Sequence, residues 1–73
     1  MSDQDELRAA FWTAPPEALF PSPYVAAARH VSIALLDRER WQNTGPIYIK
    51  LGARVLYRKS AVLDWIKQQE EAA

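Results

Sequence analysis

The hydrophobic positions follow a helical spacing up to about residue 45, a strand-like alternation from residue 47 to residue 57, and a helical spacing again from residue 61. Near the start, Leu7 and Phe11 lie four residues apart, so a short helix would place both on one face. The Pro15-Pro16 pair ends any such helix, because proline lacks an amide hydrogen and clashes with the preceding turn. The pattern therefore predicts a short first helix within a polar leading segment.

Two further short helices are predicted between residues 22 and 42. Ser22-Pro23 combines an N-cap serine with a proline at the first helical position, which predicts a helix over 24–30. Ser32 is placed to cap a second helix that runs from residue 33 to about residue 41. An Asn-Thr-Gly-Pro run at 43–46 ends that helix. We therefore expect two helices joined by a tight turn.

After the proline at position 46, the residue types and their period become those of strands. Apart from Lys50, residues 47–51 and 55–57 are β-branched, aliphatic or aromatic, and the glycine-containing segment between them predicts a β-hairpin. Alternation assigns each strand two faces. We expect Lys50, Arg54 and Arg58 to share the outward face of this hairpin.

A last helix is predicted from residue 61 to about residue 69, with Ser60 as its cap. Val62, Trp65 and Ile66 fall at helical spacing and form its apolar stripe. Trp65, the largest side chain of this helix, is expected to close the core against Leu36. The predicted fold class is thus mostly α with one β-hairpin.

The composition excludes several classes of protein and of site. The 73 residues include no cysteine and one histidine, so disulfides and a thiolate or histidine metal centre are not expected. The apolar runs are too short to span a membrane, and the acidic start lacks the features of a signal peptide. Neither a phosphate-binding loop nor an activated nucleophile is recognisable. We expect a cytoplasmic protein without cofactor, metal, membrane partner or enzymatic activity.

The net charge of zero conceals a segregation of charge along the chain. Residues 21–60 hold seven basic and two acidic residues, whereas residues 1–20 hold four acidic and one basic. Residues 61–73 are acidic again, with three carboxylates against one lysine. A basic middle between acidic ends is typical of a surface that binds a polyanion, although an ordinary solvated surface explains the same charges.

The residues from Gly45 to Ser60, followed by Trp65-Ile66, resemble the wing and final helix of the excisionase and AlpA-like family. Val31-Ser32 and residues 36–41 resemble the turn and recognition helix of one branch of that family. At Arg29 and His30 the sequence departs from the leucine and turn glycine that are usual there. The resemblance implies a MerR-type winged helix-turn-helix domain over 18–70, preceded by an acidic, aromatic arm over 1–17.

The resemblance also implies which side chains bind double-stranded DNA. On the recognition helix and its cap, the expected DNA-binding residues are Ser32, Ala34, Leu35, Asp37 and Arg38. On the wing, the residues expected to hold phosphates or to enter the minor groove are Lys50, Arg54, Arg58 and Lys59. Leu36 and Trp41 are expected to anchor the recognition helix to the core.

Two of these helix residues keep alternative interpretations. Arg38 suits a bidentate contact to guanine, or else a surface ion pair with Asp37 or Glu39. Asp37 suits an acceptor for cytosine, or else a group that orients Arg38 or Arg40.

The function that the resemblance implies is architectural. Such proteins commonly act as recombination directionality factors, which bend attachment-site DNA and bias an integrase, a further expected partner, toward excision. A small transcriptional regulator of phage or mobile-element genes is the alternative, and a protein-interaction module that does not bind DNA is a third hypothesis.

Cooperative self-association on DNA is also expected, because one small module covers only about 600–1,000 Å² of interface. Apolar residues outside the predicted core are the candidates for such contacts: Phe11, Trp12, Leu56 and Leu63. If the arm serves assembly alone, a chain without residues 1–14 should stay folded and lose only cooperative binding.

Overall fold

The structure, a computed structural model, describes residues 2–73. Within them it contains four helices and a small antiparallel sheet, which confirms the mostly helical class and the hairpin. The helices are α1 (Asp3–Thr13), α2 (Ser22–Arg29), α3 (Ile33–Gln42) and α4 (Lys59–Ala72). The strands are β1 (Leu19–Pro21), β2 (Ile49–Leu51) and β3 (Arg54–Arg58). None of these helices has the length and apolarity that a membrane crossing requires.

Helix α1 is part of the core and is not an arm that precedes the domain. Ser2 caps it, and its hydroxyl accepts a hydrogen bond from the amide of Asp5 at 3.3 Å. Phe11 is fully buried, and its ring centroid lies 5.1 Å from that of Phe20 on β1. The rest of this core cluster comes from α2, α3, β3 and α4: Val25, Ala26, Ala28, Leu36, Tyr57 and Val62. The expectation of a separate arm over 1–17 is corrected accordingly.

The sheet has a third strand that the sequence pattern did not predict. β1 pairs with β3, which lies in the middle of the order β1-β3-β2. The strand is only three residues long and ends at Pro21, so it offers too few alternating positions for recognition from the sequence. It connects α1 to the hairpin, because Phe20 pairs with Tyr57 on the face that looks into the core.

The hairpin register reverses one expectation about its faces. β2 and β3 are joined by a two-residue loop, Gly52-Ala53, in which only the glycine has a positive φ, of 61°. Lys50 therefore pairs with Val55 and lies on the core-facing side of the sheet, away from Arg54 and Arg58. The predicted three-residue turn differs from this loop by one residue, and such a difference exchanges the faces.

Helices α2 and α3 are joined by three residues, 30–32. His30 adopts the left-handed conformation (φ 59°, ψ 40°), and its amide donates to the carbonyl of Ala27. Ser32 caps α3 as predicted, since its hydroxyl accepts from the amide of Leu35 at 3.1 Å. The other two predicted caps are displaced: α2 begins at Ser22 itself, and α4 begins one residue before Ser60. A histidine thus takes the conformation that glycine usually supplies in such a turn.

A buried ion pair holds the two helices and α4 together. Both guanidinium nitrogens of Arg29 donate to the Glu39 carboxylate, at 2.7 and 2.8 Å, and both side chains are almost fully buried. The Arg29 guanidinium also lies 4.2 Å from the centre of the Trp65 ring. Trp65 is only half-buried, and its indole N–H donates to the Thr44 carbonyl at 3.0 Å. The prediction that Trp65 closes the core against Leu36 was wrong, because Trp65 is not among the side chains packed in or against the core cluster and instead contacts Arg29 and the Thr44 carbonyl.

Candidate nucleic-acid interface

The outward side of α3 carries four exposed residues, Ala34, Asp37, Arg38 and Trp41, which we call the α3 face. They fall at the i, i+3, i+4 and i+7 positions of one helical surface. Leu36, fully buried, lies on the opposite side of the helix and anchors it to the core as predicted. The fold thus brings three of the five predicted recognition residues together on one accessible surface.

Arg38 is the cation of this face, and no acidic side chain among residues 2–73 forms an ion pair with it. Its two predicted competitors are engaged elsewhere: Asp37 pairs with Arg40, and Glu39 pairs with Arg29. The surface ion pair that was the alternative role for Arg38 is therefore absent from the described part of the chain. An exposed guanidinium without a partner is available for a phosphate or a guanine edge.

The other two predicted recognition residues have structural tasks. The Ser32 hydroxyl oxygen accepts the capping hydrogen bond, so it is exposed but already committed as an acceptor. Leu35 is half-buried beside the exposed surface. Asp37 orients Arg40, which was one of its two predicted roles.

Arg40, which was expected only as a group that Asp37 orients, also connects α3 to two other elements of the fold. It donates to the Tyr57 hydroxyl at 2.7 Å and to the Ser22 hydroxyl at 3.4 Å, and so it connects α3 to β3 and α2. Burial raises the pKa of Tyr57 above its ordinary value of 10.0, although the hydrogen bond from Arg40 opposes this. The Asp37–Arg40 spacing of three on one helix was the available signal. Through Arg40, the angle between α3 and the hairpin is held by hydrogen bonds.

The three hairpin cations divide into two exposed residues and one that is engaged. Lys50 and Arg54 are exposed on opposite faces of the sheet, near the Gly52-Ala53 loop. Arg58 is half-buried and donates to the Glu17 carbonyl at 2.6 Å. The hairpin therefore presents a basic tip, with Lys50 on the same side of the sheet as Tyr57 and its partner Arg40.

Lys59 is not a phosphate ligand, and this prediction was wrong. The residue is 8% exposed, and its ammonium group donates to the carbonyls of Trp12 and Ala14 at 2.9 and 2.6 Å. These two carbonyls lie at the end of α1, where backbone acceptors have no partner within the helix. Lys59 thus attaches α1 to the start of α4.

Trp41 is not an anchor of α3, and this prediction was also wrong. Its side chain is 86% exposed, in contrast to the fully buried Leu36. The helix turns about 100° per residue, so Trp41 lies on the same side of α3 as Ala34 and Arg38, at the C-terminal end of the α3 face and about 10.5 Å along the axis from Ala34. An exposed tryptophan beside the unpaired Arg38 adds a large apolar element to this surface.

The predicted self-association residues have different environments. Phe11 is fully buried and is unavailable to a neighbouring molecule, whereas Trp12 is 44% exposed. Leu56 and Leu63 are half-buried. Leu56 belongs to the outer face of the sheet, which the register assigns to seven residues: Leu19, Pro21, Ile49, Leu51, Arg54, Leu56 and Arg58.

Neither profiles of known protein families nor characterised proteins match this sequence. Within residues 2–73 no cluster of His, Asp or Glu side chains is arranged to hold a metal ion. The surface offers cations, hydrogen-bond donors and apolar groups for non-covalent binding.

Proposed function

We propose that this chain is a winged helix-turn-helix protein that binds double-stranded DNA through the α3 face and the hairpin tip. α2 and α3 correspond to the helix pair, α3 to the recognition helix, and β2 and β3 to the wing. A helix with its side chains is about 10–12 Å across, which matches the roughly 12 Å width of the major groove of B-DNA.

The observation that carries this proposal is the exposed and unpaired Arg38 on a helix whose other charges are all paired. Asp37 and Arg40 neutralise each other, and Glu39 is neutralised by Arg29 from α2. One positive charge therefore remains on the outward side of α3. Lys50 and Arg54 add two further exposed cations at the hairpin tip. This distribution suits a ligand whose backbone carries regularly spaced negative charge.

The proposal is tested by the salt dependence of binding to a labelled random-sequence duplex, measured by fluorescence anisotropy. Replacing Lys50 and Arg54 with alanine should reduce the slope of log affinity against log salt by about 0.9 for each phosphate that is no longer neutralised. Lys67→Ala is the matched control, because it removes an exposed lysine from α4, outside the proposed surface. Absence of binding at low salt would refute the proposal. An unchanged slope in the double variant would show that the hairpin tip does not contact phosphates.

For the biological role we propose a recombination directionality factor that bends attachment-site DNA for an integrase. The resemblance of residues 45–60 to the wing of excisionases supports this role. Bending a DNA site of about 20–30 bp costs about 1–6 kcal/mol, which contacts from several bound copies would offset. Circularly permuted duplexes that carry the selected site should show a bend centred on it. Binding without a bend would favour the alternative, a transcriptional regulator of phage or mobile-element genes.

Cooperative self-association is proposed through the outer face of the sheet. Its residues Leu19 and Leu51 are exposed, and none of its apolar side chains packs against the core cluster. Its two arginines would repel a second identical face, so the complementary surface on a second copy is the acidic first turn of α1. Leu19→Thr should leave single-site binding unchanged and make the filling of tandem sites less steep. Equal steepness in footprinting would exclude this face.

The outer face also supports the remaining hypothesis, an interaction module without DNA. The same anisotropy experiment distinguishes this hypothesis from DNA binding. A protein that uses only this apolar surface shows no affinity for random duplex at low salt, since non-specific affinity comes from contacts between cations and phosphates.

A further inference from the structure

Trp41 is the most exposed of the large hydrophobic side chains in the described residues, and nothing in the fold accounts for it. The aromatic and cation–π contacts within residues 2–73 involve Trp12 and Trp65 but not Trp41. Removing its indole from water would stabilise a complex, because a large aromatic surface is buried only upon binding. Tryptophan is enriched among the few residues that supply most of the binding energy at interfaces.

The charges around Trp41 indicate which ligand covers it. Arg38 precedes it by three residues on the same face and has no acidic partner, whereas Asp37 is already neutralised by Arg40. The face therefore combines one free cation with one large apolar group. The major groove of DNA combines phosphates along its edges with the 5-methyl group of thymine, which is its apolar feature.

We propose that Trp41 reads thymine, with its indole packed against the 5-methyl groups in the major groove. This inference rests on the proposed function, since it requires α3 to lie in the groove. Arg38 then contacts the adjacent guanine edge or phosphate. Trp41 supplies affinity that is independent of salt, because the indole carries no charge and displaces no counterion.

The test uses a duplex that the wild-type protein selects from a randomised library. The duplex is shortened so that it carries a single binding site. Trp41→Ala should bind the selected duplex about ten-fold more weakly, the loss typical of a truncated tryptophan at an interface. Its salt slope should equal that of the wild type. Trp12→Ala is the matched control, because it deletes the same ring from a partly exposed position on α1 and should bind normally. Thermal melting of both variants checks that they remain folded.

Replacing thymine with deoxyuridine in the selected duplex removes only the methyl groups. The wild type should lose about three-fold in affinity for each methyl group that the indole covers, and Trp41→Ala should lose nothing. Equal losses in both proteins, or no loss in either, would overturn the assignment to thymine. The latter result together with weak binding by Trp41→Ala would place the indole against the sugars instead.

The inference and the proposed function fail in distinguishable ways. If the wild type binds no duplex at low salt, both are refuted. If the wild type binds DNA and Trp41→Ala binds equally well, DNA binding stands and the role of Trp41 is refuted. That second result would leave the indole exposed in the complex and make it a surface for a protein partner.

Discussion

The substitution Phe11→Ala tests whether α1 belongs to the folding unit. Phe11 is fully buried between Trp12 and Phe20, with ring centroids 5.1 Å away on each side. Truncating a buried phenylalanine to alanine costs about 3–5 kcal/mol, through the transfer free energy of the deleted ring and the cavity that remains. A chain of this length has a total unfolding free energy of about 4–11 kcal/mol. The variant should therefore lose about a quarter or more of its stability.

Trp12→Ala is the adjacent control. Trp12 is 44% exposed, and its main structural contact is the edge-on packing against Phe11. Such an aromatic pair contributes about 0.5–1.5 kcal/mol beyond burial, so the cost should be well below that of Phe11→Ala. Urea unfolding followed by circular dichroism measures both free energies under the same conditions. In thermal melts, Phe11→Ala should lower the midpoint by more than about 12 °C.

The same reasoning reverses the expectation for a chain that lacks residues 1–14. Truncation removes Phe11 from the core and also the two carbonyls, of Trp12 and Ala14, that accept from the buried Lys59 ammonium. The truncation also exposes to water the apolar surface that α1 covers, including the ring of Phe20, and this loss of burial is strongly destabilising. We expect this truncated chain to be unfolded. A truncated chain with a sharp melting transition, or equal costs for Phe11→Ala and Trp12→Ala, would refute the placement of α1 in the core.

Three further predictions concern the contacts that hold α3 and the hairpin. Glu39→Gln should cost about 3 kcal/mol in urea unfolding, since it leaves the Arg29 guanidinium buried without its anion; a cost below about 1 kcal/mol would show that the pair is solvated. The raised pKa of Tyr57 means that its neutral form stabilises the fold below about pH 10 and that this contribution is lost as the pH rises through the folded-state pKa. Tyr57→Phe should therefore show a shallower decline in unfolding free energy above pH 10 than the wild type, and parallel declines would contradict the burial of this hydroxyl. Trp65→Ala should destabilise less than Phe11→Ala, because Trp65 is only half-buried; comparison of their urea midpoints decides it.

The sequence by itself determined the features that depend on neighbours within a few residues. The Ser32 cap, the end of α3 near residue 43 and the hairpin around Gly52 follow from local hydrogen bonding and backbone preference, and all three are present. Arg38 was also identified correctly as exposed, because the helical period assigns it to the side opposite Leu36. The change from helical to alternating spacing was enough to predict the element order apart from β1.

The tertiary structure decided which of the residues predicted to bind DNA have side chains that are not engaged elsewhere in the fold. Lys59 and Trp12 are 47 residues apart in the chain, so no local sequence pattern predicts that the lysine donates a hydrogen bond to the end of α1. Glu39 forms its ion pair with Arg29 and not with Arg38, and this choice depends on how α2 packs against α3. A single-residue difference in the hairpin loop moved Lys50 to the other face. Burial and pairing arise from contacts between distant segments, so local periodicity assigns a residue to a face but does not determine what covers that face.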